Sequence, residues 1–204
     1  MPKTKEKILA ASLSLFNTIG LKQATLQVIA QEVDISVGNL AYHYKNKAEI
    51  MAAHNANLES ELKEALSHYR NYPHFLDFHI QLQHIWEVLN SYKFIFVNLG
   101  EMAIQYPKTF SLIQDFHYKL TSQIEHRLAF HLQRGKIADD LPGYLSRLPN
   151  LIAHYILFVP QAEFFVSHNP HQHYFQDTWN FILPILTDTG REEWELMISP
   201  ALTS

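Results

Sequence analysis

The sequence predicts an all-α protein, a small three-helix head over residues 1–47 joined to a larger helical body over residues 48–204. Three observations predict it. Glycine is scarce, 6 in 204 residues, and runs of β-branched residues are few, so a sheet is disfavoured. Apolar residues recur at helical spacing from Ile8 onward. Residues that cap helices stand where those periodic stretches begin and end. At 47% apolar, the chain has material for a core and does not have a disordered composition.

The head is read element by element. Thr4 caps a first helix, with Glu6 in its first turn, where the helix dipole favours an anion. Ile8, Ala11, Leu15, Phe16 and Ile19 carry the apolar face, and Gly20 supplies the left-handed residue that ends it. Thr25 caps a second helix whose Leu26, Ile29, Ala30 and Val33 fall on one face. Asp34 is placed in the left-handed region, which aspartate tolerates. Ser36 caps a short third helix, residues 37–44, anchored by Leu40 and Tyr44. Asn46 and Glu49 form a capping-box-like start to a fourth helix that runs to about Asn71, before Pro73.

The body reads as further helices near 74–90, 92–105, 107–134, 143–168, 171–187 and 190–199. Pro107 suits a first helical position, Gly135 an end, and Pro149, Pro160 and Pro184 mark kinks or breaks.

Two short helices with a left-handed residue between them make a helix-turn-helix. The second helix of such a pair must enter a major groove about 12 Å wide, so its exposed N-terminal face needs small or polar residues. Val37, Gly38 and Asn39 supply them behind the Ser36 cap, and Tyr42, His43, Lys45 and Lys47 can reach beyond. Val37, Asn39 and Tyr42 are the candidates for base edges. Thr25 and Lys47 stand at helix starts, where free N–H groups attract phosphate. Charge agrees. Residues 1–47 hold six lysines against Glu6, Glu32 and Asp34, a net of +3, whereas the rest is −7 and the whole chain −4. A basic head on an acidic body suits contact with phosphate at one end only.

The stretch Thr25–Ile50 resembles the DNA-binding signature of TetR-type (TetR/AcrR-like) repressors: Thr, Ile-Ala at mid-helix, then Ser-Val-Gly-Asn-Leu-Ala-Tyr-His-Tyr-Lys-Asn-Lys. Two positions depart from it. Asp34 stands at the turn glycine, and Ala41 replaces the first tyrosine after the leucine. The resemblance covers about residues 4–55. It implies a homodimer on a palindromic operator in double-stranded DNA, and a helical body that binds a small-molecule effector and dimerises through its last long helices.

The body contributes most of the 26 aromatic residues. Trp86, Phe94, Phe116 and Tyr155 are the candidates for lining a pocket for a mainly apolar effector, with core packing as the alternative for each. The stretches Leu148–Val166 and Tyr174–Leu186 are apolar around much of their circumference and are the candidates for a dimer interface.

Other chemistry finds no footing. With no cysteine there is no disulfide, zinc-thiolate or thiol nucleophile. None of the 13 histidines lies four residues from another, and Glu-x-x-His is absent. His171-Gln-His173 with Asp177 is the one cluster worth naming, and it follows a turn signal. No phosphate-binding glycine loop or nucleophile elbow occurs. No metal, cofactor or catalytic residue is therefore expected, and a soluble, cytoplasmic protein with no membrane span is. The expected function is ligand-controlled, sequence-specific DNA binding, most simply repression. The alternatives are a helical ligand carrier or enzyme with no DNA role, and a helical protein-interaction module.

Overall fold

In the computed structural model, residues 4–67, 74–162 and 170–203 are described. The head follows its caps at Thr25 and Ser36. Helix α1 (Thr4–Thr18) is succeeded by a single turn, α2 (Gly20–Gln23), with Gly20 at φ 82°, as its place at the end of α1 requires. Helix α3 (Leu26–Glu32) starts at Thr25, whose Oγ1 accepts from the Val28 amide at 3.3 Å. Its end is a Schellman turn. Asp34 sits at φ 55°, the Asp34 amide donates to the Gln31 carbonyl, and the Ile35 amide donates to that of Ala30 at 3.0 Å. Helix α4 (Val37–His43) starts at Ser36, whose Oγ accepts from the Asn39 amide at 3.1 Å.

Helix α5 (Lys47–Ser67) leaves the head and packs along the body. Asn46 Oδ1 accepts from the Glu49 amide at 3.0 Å, and Glu49 reaches back to the Lys45 amide at 2.9 Å, one residue before the cap. The expected end of this helix, from His68 to Pro73, lies outside the described residues.

The body continues with α6 (Phe75–Ser91), α7 (Lys93–Phe96), α8 (Leu99–Gln105) and the long α9 (Pro107–Gln133). Residues 92–105, expected as one helix, are two. Asn98 gives its side-chain amide to the Phe94 carbonyl at 2.7 Å while its backbone N–H turns to the Ile95 carbonyl, which breaks the chain between α7 and α8; Asn17 in the head accepts from the Phe94 amide in the first turn of α7. Pro107 holds the first turn of α9, and Gly135 ends it at φ 65° in a second Schellman turn. Helix α10 (Tyr144–Ala162) contains Pro149 and Pro160. Helix α11 (Pro170–Asn180) stops short of Pro184, which lies instead in a 3₁₀ turn, Leu183–Ile185. Helices α12 (Asp188–Met197) and α13 (Ser199–Thr203) complete the chain. Among the described residues there is no strand, only an isolated bridge between Ile137 and Leu186. No described helix is long and apolar enough to cross a membrane.

The core is continuous from head to body. Ile8 and Phe16 of α1, Ile50 and Leu58 of α5, and Phe94 of α7 are all buried. Two polar devices cross this junction. The Ser12 hydroxyl donates to the Leu9 carbonyl at 2.9 Å, so its oxygen accepts from His54 Nε2 at 2.8 Å. Asn17 donates to the Ser91 carbonyl at 2.8 Å while accepting from the Phe94 amide at 2.9 Å.

Candidate nucleic-acid interface

Helix α4 is held from behind. Leu40 is fully buried and Tyr44 nearly so, and the Lys5 ammonium sits 5.3 Å from the Tyr44 ring centre. The opposite side is bare: Ser36, Val37, Gly38 and Asn39 are all exposed, and Tyr42 is 85% exposed with its ring edge-on to His43. A short helix with three small or polar residues outward, and nothing packed over them, can lie in a groove without desolvating bulky side chains first. At Gly38 an added Cβ would meet only Ser36 Oγ, at 3.8 Å, so the helix itself does not require glycine there.

The candidate phosphate contacts surround this face. Thr25 and Lys45 are exposed at the starts of α3 and just before α5. Lys47 is half-buried, and its ammonium donates to the Leu21 carbonyl, which ties the start of α5 to α2. Burial lowers its pKa, partly countered by Glu101. That carbonyl takes only one of the three ammonium N–H donors of Lys47.

The four aromatic candidates of the body do not meet. Phe94 packs against Phe16 at 5.1 Å and joins head to body. Phe116 is buried in the core. Trp86 stacks obliquely on Tyr174, with centroids 5.1 Å apart. Tyr155 donates to the Asp177 carboxylate at 3.0 Å, and burial with that carboxylate keeps the phenol well above its usual pKa. Of the four, Tyr155 alone lines a cavity described here, a groove of about 440 Å3 it shares with Leu99, Leu157, Phe158 and Gln161. Among the described residues no three His, Asp or Glu side chains form a group that could hold a metal ion.

The Ser12–His54 pair escaped the sequence reasoning, although a signal was present. Ser12 stands between Ile8 and Phe16, and His54 between Ile50 and Leu58, each four residues from its apolar neighbours. A polar residue centred on an apolar face is a sign of a buried partner.

Fold and head together define the class: a helix-turn-helix head on a helical body. Residues 8–54 match the family described as bacterial regulatory proteins, tetR family. The chain is 27% identical over 125 residues to IcaR, the negative transcriptional regulator of the biofilm operon icaADBC in Staphylococcus epidermidis, covering 61% of this chain and 60% of IcaR. It thus spans less than two thirds of that curated relative. A TetR-family regulator from Marinobacter aquaeolei shares the fold with a TM-score of 0.80 and 24% identity, covering 96% of this chain and 98% of that one. CprB from Streptomyces coelicolor, solved with its operator sequence, superposes with a TM-score of 0.68 at 12% identity, covering 98% of each chain. The head thus matches the tetR family over residues 8–54, the whole chain shares the fold of a TetR-family regulator, and the curated relative is a transcriptional regulator.

Proposed function

We propose that this protein is a homodimeric, sequence-specific repressor that binds a palindromic operator and is released from it by a small, mainly apolar effector. One observation carries the DNA part: the bare face of α4, from Val37 to Tyr42, on a helix pinned by Leu40 and Tyr44. The operator complex of CprB and the negative regulation by IcaR support it. Val37, Asn39 and Tyr42 read base edges. Thr25, Lys45 and Lys47 hold phosphates, while Ser36 and Gly38 let the backbone approach and His43 flanks the groove. The division between head and body at residue 47 falls at the first turn of α5, so one helix belongs to both functions.

Selection from a random duplex library, followed by gel shift, tests this. A two-fold symmetric site is expected. Lys47→Ala should weaken binding to all sequences and reduce the salt dependence by roughly one unit of slope. Asn39→Ala should relax preference at one position per half-site, at roughly 1–3 kcal/mol. A chain with no salt-dependent affinity for any duplex is a carrier or an interaction module instead.

One short helix reads too few base pairs to single out a site, so a second copy is needed. Helix α10 offers a surface for it. Leu151 and Phe158 are 45% and 48% exposed, with His154 exposed between them on the same face. The apolar residues of α11 are spent inside the chain: Trp179 is fully buried between Phe75 and Phe78. Phe164 and Val166 lie outside the described residues. Phe158→Glu should yield a monomer by light scattering, with an intact thermal transition and lost operator binding. A wild-type monomer that binds a palindrome tightly defeats the dimer.

A further inference from the structure

Two histidine rings meet at an exposed side of the body. His117 of α9 and His154 of α10 have ring centres 4.4 Å apart, tilted by 59°. His154 Nδ1 lies 2.7 Å from the Asn150 carbonyl, one turn back on α10. A carbonyl only accepts, so Nδ1 carries the proton and neutral His154 keeps its lone pair on Nε2. Histidines that bind metal ions are oriented by this same kind of bond from their second nitrogen. His117 Nε2 is enclosed and has no hydrogen-bond partner. A buried ring nitrogen left bare is destabilising. Burial, and the neighbouring His154, hold the His117 pKa below its ordinary value, so this ring too is neutral at neutral pH and has a lone pair to give.

The position gives access. His154 is exposed and borders the open groove of about 440 Å3 beside Phe158. Two imidazoles on one tetrahedral ion, with metal–nitrogen bonds of about 2.0–2.1 Å, hold their ring centres roughly 5 Å apart. The exposed His154 ring need open by only about 1 Å to reach that spacing. Neutral imidazoles suit zinc, copper or nickel, whereas magnesium and calcium take oxygen ligands. Two ligands are half of a tetrahedral site, and among the described residues no third His, Asp or Glu completes it within one chain. His154 is also the middle of the exposed stripe Leu151, His154, Phe158 that α10 offers to a second copy. A two-fold contact sets the same patch of both protomers face to face, so the middle of the stripe lies near its own copy.

We propose that His117 and His154 form half of a site for a borderline divalent cation such as Zn2+, and that the same pair on a second copy completes it, so that the ion ties the two bodies together. This inference rests on α10 being the dimer face.

The test uses the full-length protein, stripped of metal with EDTA and dialysed. Zn2+ is titrated against a chromophoric zinc indicator, and the dimer is followed by sedimentation over a dilution series. One Zn2+ per two chains is expected. At saturation the dimer dissociation constant should fall roughly tenfold or more, since the ion prefers the dimer to the single chain. His154→Ala, at an exposed position, should weaken zinc binding at least about tenfold, because two of the four ligands leave the dimer together. His117→Gln should do the same. His126→Ala is the control. His126 is also exposed, on α9, and its Nδ1 makes the same bond one turn back, to the Ser122 carbonyl at 2.6 Å, so its loss should leave zinc binding unchanged. Equal zinc uptake by wild type and His154→Ala overturns the site, as does uptake that falls equally in His126→Ala. One ion per chain with an unchanged dimer constant overturns completion by a second copy. Metal-free Phe158→Glu separates the site from the dimer face. If it sediments as the wild type does, the face is overturned. If it is monomeric while the wild type takes up no zinc, the face stands and the metal site falls.

Discussion

Gly190→Ala should destabilise the protein by about 3 kcal/mol or more, at or beyond the upper end of ordinary overpacking. Gly190 lies in the first turn of α12, where its amide donates to the Thr187 cap at 3.1 Å. An added Cβ would stand 1.9 Å from the Lys136 carbonyl oxygen and 2.9 Å from its carbon. The obstacle is backbone, and it is fixed on both sides. The Lys136 amide closes the Schellman turn of α9 on His131, and its carbonyl accepts from the Thr187 amide at 3.1 Å. Glu193 adds ion pairs to Lys136 at 3.2 Å and Arg134 at 3.4 Å across the same contact, and these hold its carboxyl below the usual range despite burial. Against a typical total of about 5–15 kcal/mol, such a loss is severe. Urea denaturation at fixed protein concentration measures it. Gly100→Ala is the comparison: it lies in the first turn of α8, where an added Cβ would meet no other part of the chain within 4 Å, and should gain up to about 0.5–1 kcal/mol. Equal midpoints for wild type and Gly190→Ala would show that α12 does not press on the end of α9.

Acid should weaken the junction of head and body. Burial lowers the His54 pKa to about 4, from an ordinary 6.5. The hydrogen bonds explain the neutral form. Ser12 spends its one proton on Leu9, so His54 Nε2 must carry a proton to bond Ser12, and Nδ1 is left bare, buried and without a partner. A second proton on Nδ1 would have no acceptor. The unfolded chain takes up a proton below pH 6.5, whereas the folded chain refuses it until about pH 4. The contribution of His54 is therefore intact above 6.5 and lost as pH falls towards 4. Between pH 7.5 and 4.5 this amounts to about 2–3 kcal/mol. His54→Gln can still donate to Ser12 but does not titrate. Its stability should fall less over that range, by about this amount, in paired denaturation curves. Parallel pH profiles for the two proteins would contradict it.

What could be read from the sequence was local. The caps at Thr25, Ser36 and Asn46 and the left-handed Asp34 depend on neighbours within four residues, and all four stand as the sequence suggests. The outward face of α4 followed from the same short window. Contacts made from a distance were not legible. Nothing within residues 92–105 says that Asn17 will take the Phe94 amide from 77 positions away. The fate of the aromatics was equally hidden. Periodicity marks Trp179 as apolar and buried but cannot say whether it meets Phe75 or another chain. A cleft of about 460 Å3 beside α5 is a property of two facing surfaces, Ala48 and Ala52 against Tyr106 and Pro107, and small residues on a helix look alike whether or not something faces them.

Helix α5 spans 21 residues, about 30 Å at 1.5 Å per residue. It carries the head at one end and lies against α6 and α9 along its length. It is a rigid arm, so angles near its far end become displacements at α4. A rotation of about 5° moves the tip by roughly 2.6 Å over that length. A donor and acceptor on a base edge must meet within about 0.5 Å of their best separation. In the proposed dimer both arms would swing, and the spacing of the two α4 helices would change by up to twice the single displacement. On that proposal the head need not unfold, nor any contact with DNA be blocked, for the pair to lose step with a duplex. A few degrees in α5 would suffice.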